Sequence, residues 1–360
     1  MNRQSQEIFP FLKNLDIPPE WDEAAARFVK TGRTCMVIGG PDTGKSTLSR
    51  YLIYRAFAAG KPAALVDLDV GQSHLGPPAA LGLALFPPRF PGDDSLFPDG
   101  LYFIGQTSPV GAVLEVTVGC RTLADQALDQ GVRHIVVNTS GLVQGPAAFR
   151  LKPAQAELLR PPLILGLARE RELDCLLQAM GTRDGREACV LPVSALSTRK
   201  SMEARRAYRE ARFREYFARA RRRSLPLKKI SWRGVPLSQG RPLEPEEIER
   251  YAEILKTPVL LGEADGRRVV LLLEEMTAEC HHRAAGEEKL VFLTWQSFAL
   301  RLVGLLDGQC RTMGLGLLLP GPWNGRSVTV LTPVAAQAAP QVRFLHVGKL
   351  RLSPDGRELG

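Results

Sequence analysis

A glycine-rich segment constrains the fold of this chain more than any other feature. Residues Gly39 to Thr47 read G-G-P-D-T-G-K-S-T, which satisfies the pattern G-x-x-x-x-G-K-[ST] of a phosphate-binding P-loop. The apolar run Cys35–Ile38 before the loop is typical of a strand. Thr47–Ala59 after it predicts a helix whose N-terminus faces the anion. This order of strand, loop and helix predicts that the chain binds a nucleoside triphosphate.

Each residue type in the loop has a task in holding phosphates. The glycines let backbone N–H groups curl around the anion, Lys45 neutralises the outer phosphates, and the Ser46 hydroxyl is a ligand for Mg²⁺. The predicted nucleotide site consists of Gly39, Gly40, Pro41, Asp42, Thr43, Gly44, Lys45, Ser46 and Thr47.

The composition is ordinary for a globular protein. The 360 residues are 44% hydrophobic and 24% charged, enough for one large domain and a smaller one. No apolar run is long enough for a membrane helix, and residues 1–15 lack the apolar core of a secretory signal. The six scattered cysteines form no C-x-x-C pair, which predicts reduced thiols in a cytoplasmic protein.

The net charge of +9 is concentrated in one segment. Residues 199–229 contain thirteen Lys and Arg against three Glu, so this segment carries +10 and the rest of the chain is nearly neutral. Such a patch suits a polyanion, either a nucleic acid or a triphosphate. A solvated helix face with a basic tail would give the same pattern, and charge alone does not separate the two interpretations.

Continuous apolar runs recur between helical stretches up to residue 191. The runs are Ala63–Val66, Leu101–Ile104, Ile135–Val137, Leu163–Leu165 and Val190–Leu191. This pattern predicts parallel strands covered on both faces by crossover helices. The predicted helices, after a lead-in over Pro19–Lys30, are Thr47–Ala59, Val118–Gln130, Glu170–Met180 and Met202–Arg222. The predicted fold class is therefore α/β, a P-loop NTPase-type parallel sheet with flanking helices.

The pattern changes near Pro226. Short apolar segments separated by turns follow, among them Val259–Leu261, Val269–Leu273, Leu290–Leu293 and Val328–Leu331. They predict a smaller, β-rich C-terminal domain. We place the P-loop domain at residues 1–226 and the β-rich domain at residues 227–360.

Two carboxylates follow the strand predicted at Ala63–Val66. In a P-loop fold, an acidic residue at the carboxyl end of a neighbouring strand faces the Mg²⁺ and the reacting phosphate. We assign Asp67 as a metal or water ligand. Asp69 is assigned as the base that accepts the proton of an attacking hydroxyl. An N-cap role for Asp69 is the alternative.

Polar loops after the other strands should reach the same edge of the sheet, where open α/β sheets bind ligands. The residues assigned to substrate binding are Gln72, Thr107, Ser108, Asn138 and Thr139. Each is also an ordinary turn residue, so no single one carries the assignment.

The helix predicted from Met202 has an apolar stripe and, beside it, a row of arginines. Arg205, Arg209 and Arg212 recur at i, i+4 and i+7. This row would close over the triphosphate as a lid and stabilise charge during transfer, which makes Arg205 and Arg209 catalytic candidates with Lys45 and Asp69. Contact with a nucleic-acid backbone and simple surface solvation are the alternatives.

Five separated motifs together resemble the P-loop polynucleotide 5′-hydroxyl kinase family, the RNA 5′-kinases of tRNA splicing, mRNA 3′-end formation and rRNA processing. They are the P-loop, V-D-L-D-V-G-Q-S at 66–73, F-I-G-Q-T-S-P at 103–109, V-N-T-S-G-L-V-Q-G at 137–145 and R-R-A-Y-R-E-A-R-F-R-E-Y-F at 205–217. The resemblance covers most of residues 30–220, and the C-terminal segment resembles the family's more loosely.

The resemblance implies transfer of the ATP γ-phosphate to the 5′-hydroxyl of RNA or DNA, with ATP and Mg²⁺ as cofactors. Lys45, Ser46 and Thr47 would hold phosphates and Mg²⁺, and Asp69 would be the general base. The helix with Arg205 would match the family's lid, and the loop Thr107–Pro109 would match the element beside the P-loop lysine. Neither a membrane nor an obligate protein partner is implied.

Three positions depart from the family pattern. Eukaryotic relatives carry a β-rich domain ahead of the P-loop, whereas the P-loop here begins at residue 39, which implies a short form without that domain. Leu142 stands where relatives often have a tryptophan able to stack on a base. Lys200, beside Arg199, stands where relatives begin the lid with an arginine.

Two other function classes share the P-loop. A small-molecule kinase, for nucleosides or another alcohol, would not need the +10 segment. An ATPase or switch that binds RNA without modifying it would hydrolyse ATP and leave the RNA unlabelled. A GTPase is disfavoured because the chain contains no N-K-x-D motif.

Overall fold

The computed structural model describes residues 16–87, 97–181, 185–283, 290–321 and 326–359. The chain divides into two compact units, Met1–Arg212 (the first unit) and Phe213–Gly360 (the second unit).

The first unit alternates strands and helices. Its strands are β1 (Cys35–Gly39), β2 (Ala63–Asp67), β3 (Ala80–Phe86), β4 (Gly100–Phe103), β5 (His134–Asn138), β6 (Leu163–Ala168) and β7 (Glu187–Pro192). Its helices are α1 (Pro19–Thr31), α2 (Lys45–Ala58), α3 (Val113–Asp129), α4 (Gly145–Leu159), α5 (Asp174–Met180) and α6 (Met202–Phe217), of which α6 continues into the second unit.

These strands form a seven-stranded sheet in the order β4-β3-β2-β5-β1-β6-β7. β2, β5, β1, β6 and β7 run parallel, and β3 is antiparallel to both β2 and β4. β1 and β2 both pair with β5, in a register that places Asn138 opposite Val37 and Asp67. The carboxyl ends of β1, β2 and β5 therefore meet at one edge of the sheet, where the P-loop begins.

The apolar pattern of β1 explains why helices cover both faces of the sheet. Cys35 and Val37 pack in one core cluster with residues of α1 and α2. Met36 and Ile38 point to the opposite face and pack with residues of α4 and α5. All five residues of β1 are buried, as expected for a central parallel strand with layers on both sides.

The second unit is β-rich. Its strands are β8 (Arg221–Pro226), β9 (Ser231–Arg233), β10 (Arg241–Pro242), β11 (Val259–Ala264), β12 (Val269–Leu273), β13 (Leu290–Thr294), β14 (Arg301–Leu306), β15 (Thr312–Leu318), β16 (Ser327–Thr332) and β17 (Phe344–Arg351). Its helices are α7 (Pro245–Leu255), α8 (Ala278–Arg283) and α9 (Trp295–Phe298), and single 3₁₀ turns cover Leu227–Lys229 and Ala339–Gln341.

These strands form a six-stranded sheet, β8-β16-β15-β14-β17-β9, and a four-stranded sheet, β10-β11-β12-β13. One core cluster joins residues of both, including Trp232, Val270, Leu272 and Leu345. Tyr216 is buried within this unit, and its hydroxyl oxygen accepts a hydrogen bond from Leu315 N at 2.8 Å.

The predicted fold class is confirmed, and the differences lie in particular elements. The helix predicted over Met202–Arg222 ends at Phe217, because Arg221 and Arg222 belong to β8 and pair with β16. The boundary predicted after residue 226 assigns this strand to the first domain, whereas the two compact units meet at Arg212 and Phe213.

Two elements of the first unit were not predicted. β3 is an added antiparallel strand, and α4 is a helix that contains Pro153 in its interior. Among the helices of the described residues, none is both long enough and apolar enough to cross a membrane.

Candidate active site

The P-loop connects β1 to α2 and is closed by its own side chains. Lys45 Nζ donates to the carbonyl oxygen of Gly40 at 2.6 Å, and Thr43 Oγ1 donates to the same oxygen at 3.0 Å. Gly44, with φ of 88°, is the residue before the first turn of α2. A side chain there would be strained, because this left-handed conformation favours glycine.

A tryptophan of α1 lies beneath the loop. A Cβ added to Gly44 would be 3.5 Å from the indole of Trp21. Trp21 is fully buried, and its Nε1 donates to the carbonyl oxygen of Pro192 at 2.9 Å. α1 therefore packs against the start of α2 through Trp21.

Asp67 ends β2 and is fully buried, with both carboxylate oxygens engaged. Oδ1 accepts from Asn138 Nδ2 at 3.0 Å and from Asp69 N at 3.2 Å. Oδ2 accepts from His74 N at 2.8 Å and Ser73 Oγ at 3.2 Å. Burial raises the pKa of Asp67, and its hydrogen bonds and the nearby His74 oppose that shift.

Asp69 lies beyond the end of β2, in a turn that its own side chain stabilises. Asp69 Oδ1 accepts from Gly71 N at 3.1 Å and from Gln72 N at 2.9 Å. Within the described residues, no hydrogen bond engages Oδ2 of this half-buried carboxylate. The capping alternative is thus partly realised, in a turn rather than at a helix start, and one oxygen is left for a further contact.

Asn138 joins the P-loop to the end of β2. Its Nδ2 lies 3.3 Å from Ser46 Oγ and 3.0 Å from Asp67 Oδ1, and its Oδ1 is buried without a hydrogen-bond partner among the described residues. A buried amide oxygen of this kind calls for a partner. The Ser46 hydroxyl and the Asp67 carboxylate, which both lie within 3.3 Å of Asn138 Nδ2, are oxygen donors of the kind that Mg²⁺ prefers, so these two residues fit the metal.

Two further loops are brought to this edge by close backbone contacts. A Cβ on Gly71 would lie 2.8 Å from the carbonyl oxygen of Thr107, so only glycine lets the turn after Asp69 pack against the loop 106–108. In that loop, Ser108 is exposed, and its Oγ accepts from Val110 N at 3.2 Å. A Cβ on Gly141 would lie 3.0 Å from Pro41 N, so the loop after β5 packs against the P-loop.

Thr139 has a structural contact where substrate binding was predicted. Its hydroxyl donates to the carbonyl oxygen of Val37 at 2.8 Å, and the residue is fully buried. The side chain therefore fixes the loop after β5 to β1. A role of Thr139 in substrate binding stays a prediction.

The arginine-rich helix α6 is tied to the P-loop by an ion pair. Arg205 Nη2 lies 2.6 Å from Asp42 Oδ2, which also accepts from Lys200 N at 3.0 Å. Burial raises the pKa of Asp42, but the bonds from Lys200 and Arg205 outweigh it and leave the pKa below its ordinary value. Asp42 itself has a left-handed φ of 55°.

The same helix contacts the loop after Asp69. Gln72 Nε2 donates to Arg205 O at 3.4 Å, Tyr208 donates to Ser73 O at 3.0 Å, and Arg212 donates to His74 O at 3.2 Å. Arg209 lies half-buried one turn after Arg205. Of the arginine row, Arg205 contacts the P-loop through its ion pair with Asp42.

Sequence reasoning missed a buried lysine behind the loop. Lys152 of α4 is fully buried, and its Nζ donates to Ser140 O at 2.8 Å and to Ser140 Oγ at 3.3 Å. Burial, reinforced by the charge of Lys45, lowers the pKa of Lys152 from 10.5 to about 7. No local motif signals this residue, because its partner lies in the loop after β5.

Arg169, at the end of β6, was missed as well. Its Nη2 donates to Asp42 O and to Ser197 O, each at 3.3 Å, so it joins the P-loop to the segment before α6. A cation directly after a buried parallel strand was the available signal.

Burial and the surrounding carboxylates act in opposite directions on the pKa of Lys45, and the net effect is a lowered pKa. Burial lowers the pKa of Lys45, while the carboxylates of Asp69, Asp42 and Asp67 act in the opposite direction, in that order. The site thus combines the buried Lys45, a half-buried Asp69 whose Oδ2 has no hydrogen-bond partner among the described residues, and a P-loop whose helix N-terminus favours anions. This arrangement suits the binding and transfer of a phosphoryl group.

Comparison with known proteins identifies a family with a P-loop and two kinases among the relatives of this chain. Residues 39–219 match the family model described as mRNA cleavage and polyadenylation factor CLP1 P-loop. The chain is 30% identical over 347 residues to a polyribonucleotide 5′-hydroxyl-kinase of Pyrococcus furiosus, covering 96% of this chain and 95% of the relative. It is 31% identical over 329 residues to the polyribonucleotide 5′-hydroxyl-kinase of Thermococcus kodakarensis, covering 91% and 90%.

A solved structure shares the fold. The wild-type Clp1p–Pcf11p complex aligns with a TM-score of 0.60 at 13% identity, over 92% of this chain and 79% of that chain. From the P-loop to the end of the arginine-rich helix, sequence and fold agree, and the chain belongs to the CLP1 P-loop family.

Proposed function

We propose that this chain is an ATP-dependent polynucleotide 5′-hydroxyl kinase that transfers the γ-phosphate of ATP to the 5′-hydroxyl end of RNA. The observation that carries the proposal is Asp69, whose Oδ2 has no partner among the described residues, at the same sheet edge as the P-loop lysine. The name of the relatives that match nearly the full chain supports RNA as the acceptor.

In the proposed reaction, Asp69 accepts the proton of the 5′-hydroxyl while that oxygen attacks the γ-phosphorus. The new bond joins the 5′ oxygen to phosphorus, the bond from phosphorus to the β-phosphate oxygen breaks, and ADP leaves. Lys45 and the N–H groups at the start of α2 stabilise the charge of the transferring group. Arg205 would do the same after leaving Asp42.

Mg²⁺ is proposed as the metal of this site, held by Ser46 with Asp67 and Asn138 beside it. When bound, it would neutralise phosphate charge. Gln72 and the loop 106–108 are proposed to face the acceptor, since their backbones adjoin Asp69. The six free thiols support a reducing, cytoplasmic location.

The test is transfer from γ-labelled ATP to matched 5′-hydroxyl RNA and DNA oligonucleotides, with Lys45→Ala as the inactive control. Label should appear at the 5′ end of RNA and should be lost in the variant. A 5′-phosphorylated oligonucleotide of the same sequence should accept no label.

Labelled nucleoside without labelled RNA would identify a small-molecule kinase. ATP hydrolysis stimulated by RNA, with no label on the RNA, would identify a switch. Either result would overturn the proposal.

A further inference from the structure

The second unit carries a row of cations on the edge of its six-stranded sheet. β8 is the terminal strand of that sheet and reads R-R-R-S-L-P. The cations in and around it are Arg219, Arg221, Arg222, Arg223, Lys228 and Lys229. Within the described ranges, none of these six side chains forms an ion pair with a carboxylate.

The register of β8 separates these cations into two sets. Leu225 is buried in the core, and because side chains alternate along a strand, Arg223 and Arg221 share its face. Arg223 is half-buried, and its Nε donates to Val334 O at 3.4 Å. Arg222 projects to the opposite face and is exposed, as are Lys228 and Lys229 in the turn that follows.

A groove of about 280 Å³ lies beside this strand, close to the ~300 Å³ at which small-molecule sites begin. Its apolar lining comes from Pro226, Ile230, Pro340 and Val342. Arg223 and Lys229 also line it. The groove is therefore apolar with two cations at its wall, next to an exposed basic strand.

Exposed charges alone would serve to protect a free sheet edge from pairing with another chain. Protection of the sheet edge does not explain the groove beside β8. Single-stranded nucleic acids are bound where a basic surface follows the phosphates and apolar or aromatic surfaces receive the bases. Both components are present here within one short segment.

We propose that the β8 edge binds a single-stranded segment of the polynucleotide substrate. Phosphates lie against Arg222, Lys228 and Lys229, and one base enters the groove beside Arg223. This inference rests on the proposed function, because it assumes a polynucleotide substrate. It assigns to the second unit the role of holding the substrate chain.

The test measures oligonucleotide binding without ATP, so that it does not depend on phosphate transfer. Fluorescence anisotropy would compare labelled 5′-hydroxyl RNAs of about 4 and about 16 nucleotides, the range of site lengths in single-strand-binding folds. The variant is Arg222→Ala with Lys229→Ala. The matched control is Arg250→Ala with Arg267→Ala, which removes the same charge from two exposed positions of the second unit away from β8.

The wild type should bind the longer RNA at least about tenfold more tightly than the shorter one, and the β8 variant should lose most of that advantage. Its slope of log affinity against log salt should fall by about 1.4, since each phosphate contact on a single strand contributes about 0.7. The control should retain both properties. Ala336→Leu, which narrows the groove without a change of charge, should weaken binding of the longer RNA alone.

Equal weakening in the β8 variant and the control would overturn the inference, as would an unchanged length advantage. Binding of polyglutamate that depends on Arg222 and Lys229, with RNA binding unaffected, would assign the surface to an acidic protein instead. If RNA is phosphorylated while the β8 variant binds normally, the inference fails and the proposed function stands. If RNA binds through β8 but accepts no label, the proposed function fails alone.

Discussion

Cations gather in two regions of this protein, and the two regions use them differently. At the carboxyl edge of the seven-stranded sheet, three cations have protein acceptors: Lys45 contacts Gly40 O, Arg205 contacts Asp42, and Lys152 contacts Ser140. Along β8 of the second unit, the cations are mostly exposed and have no carboxylate partners within the described ranges.

Paired, buried cations and exposed, unpaired cations have different physical consequences for a protein that binds anions. A buried charge held in place needs no reorganisation when a reaction begins and is little affected by salt, whereas an exposed charge gives affinity that salt screens. Substitutions in the first region should therefore change turnover or folding stability. Substitutions along β8 should change affinity in a salt-dependent way.

The strongest test of this contrast is Asp69→Asn. The amide oxygen can still accept from Gly71 N and Gln72 N, so the turn should remain, while the base is lost. We expect kcat to fall by about 10²–10⁴, with little change in ATP affinity. Turnover would be measured at saturating ATP and RNA, with circular dichroism as the folding control. Normal turnover would remove Asp69 from the base role.

The next largest effect is expected for Arg205→Ala. Asp42→Asn, which changes the other member of the ion pair, is the variant to compare with it. Arg205→Ala should lower kcat about 10²-fold, because charge stabilisation in the transition state is lost. Asp42→Asn should instead lower the KM for ATP about fivefold, since it removes a carboxylate beside the phosphates and releases Arg205. Steady-state kinetics would distinguish the change in kcat from the change in the KM for ATP. Equal loss of kcat in both variants would indicate that the ion pair itself maintains the active geometry.

The buried lysine predicts a pH dependence of stability. With a folded-state pKa of about 7 against 10.5, Lys152 is neutral above pH 7 while the unfolded chain still binds the proton. The free energy of unfolding should therefore rise with pH above 7, by about 1 kcal/mol per unit from this group. Below pH 7 both states bind the proton, and the contribution is constant.

Lys152→Met should lack this rise, which denaturant unfolding at pH 7, 8 and 9 would measure. The range stops at pH 9 because burial raises the pKa of Cys120 to about 12, and buried thiols change stability in the opposite direction at higher pH. Identical slopes in the two proteins would contradict the assignment.

The smallest expected effect is that of Thr139→Val. Removing the hydroxyl breaks its bond to Val37 O and should cost about 1 kcal/mol of unfolding free energy, with kcat and the KM for RNA nearly unchanged. Thermal unfolding and kinetics would check the two parts. A large rise in the KM for RNA would support the predicted role of Thr139 in substrate binding.

Local sequence was sufficient to predict features that depend on a single loop, strand or helix. The P-loop, its flanking strand and helix, and the position of Asp69 followed from motif and periodicity. β3 was missed although Ala80–Phe86 is apolar, because an antiparallel strand interrupts the expected alternation of strand and helix. Pro153 hid α4, since proline inside a helix normally argues against one.

Contacts between distant segments could not be predicted in this way. Asp42 was assigned to the P-loop and Arg205 to the lid, but their ion pair depends on how α6 returns to the sheet edge. The direction of the Thr139 hydroxyl and the burial of Lys152 depend on packing for the same reason. Residue type and spacing predicted the members of the candidate site, and tertiary contacts determined which of their side chains remain available to a ligand.

The contact between Trp21 and Gly44 gives this protein an intrinsic optical signal. Trp21 is the only tryptophan among residues 1–212 of the sequence, and its buried indole lies against the start of α2. A phosphate chain that settles on that helix changes the electric field at the ring. Its emission should therefore shift as nucleotide is titrated, so the occupancy of the loop can be followed in unlabelled protein.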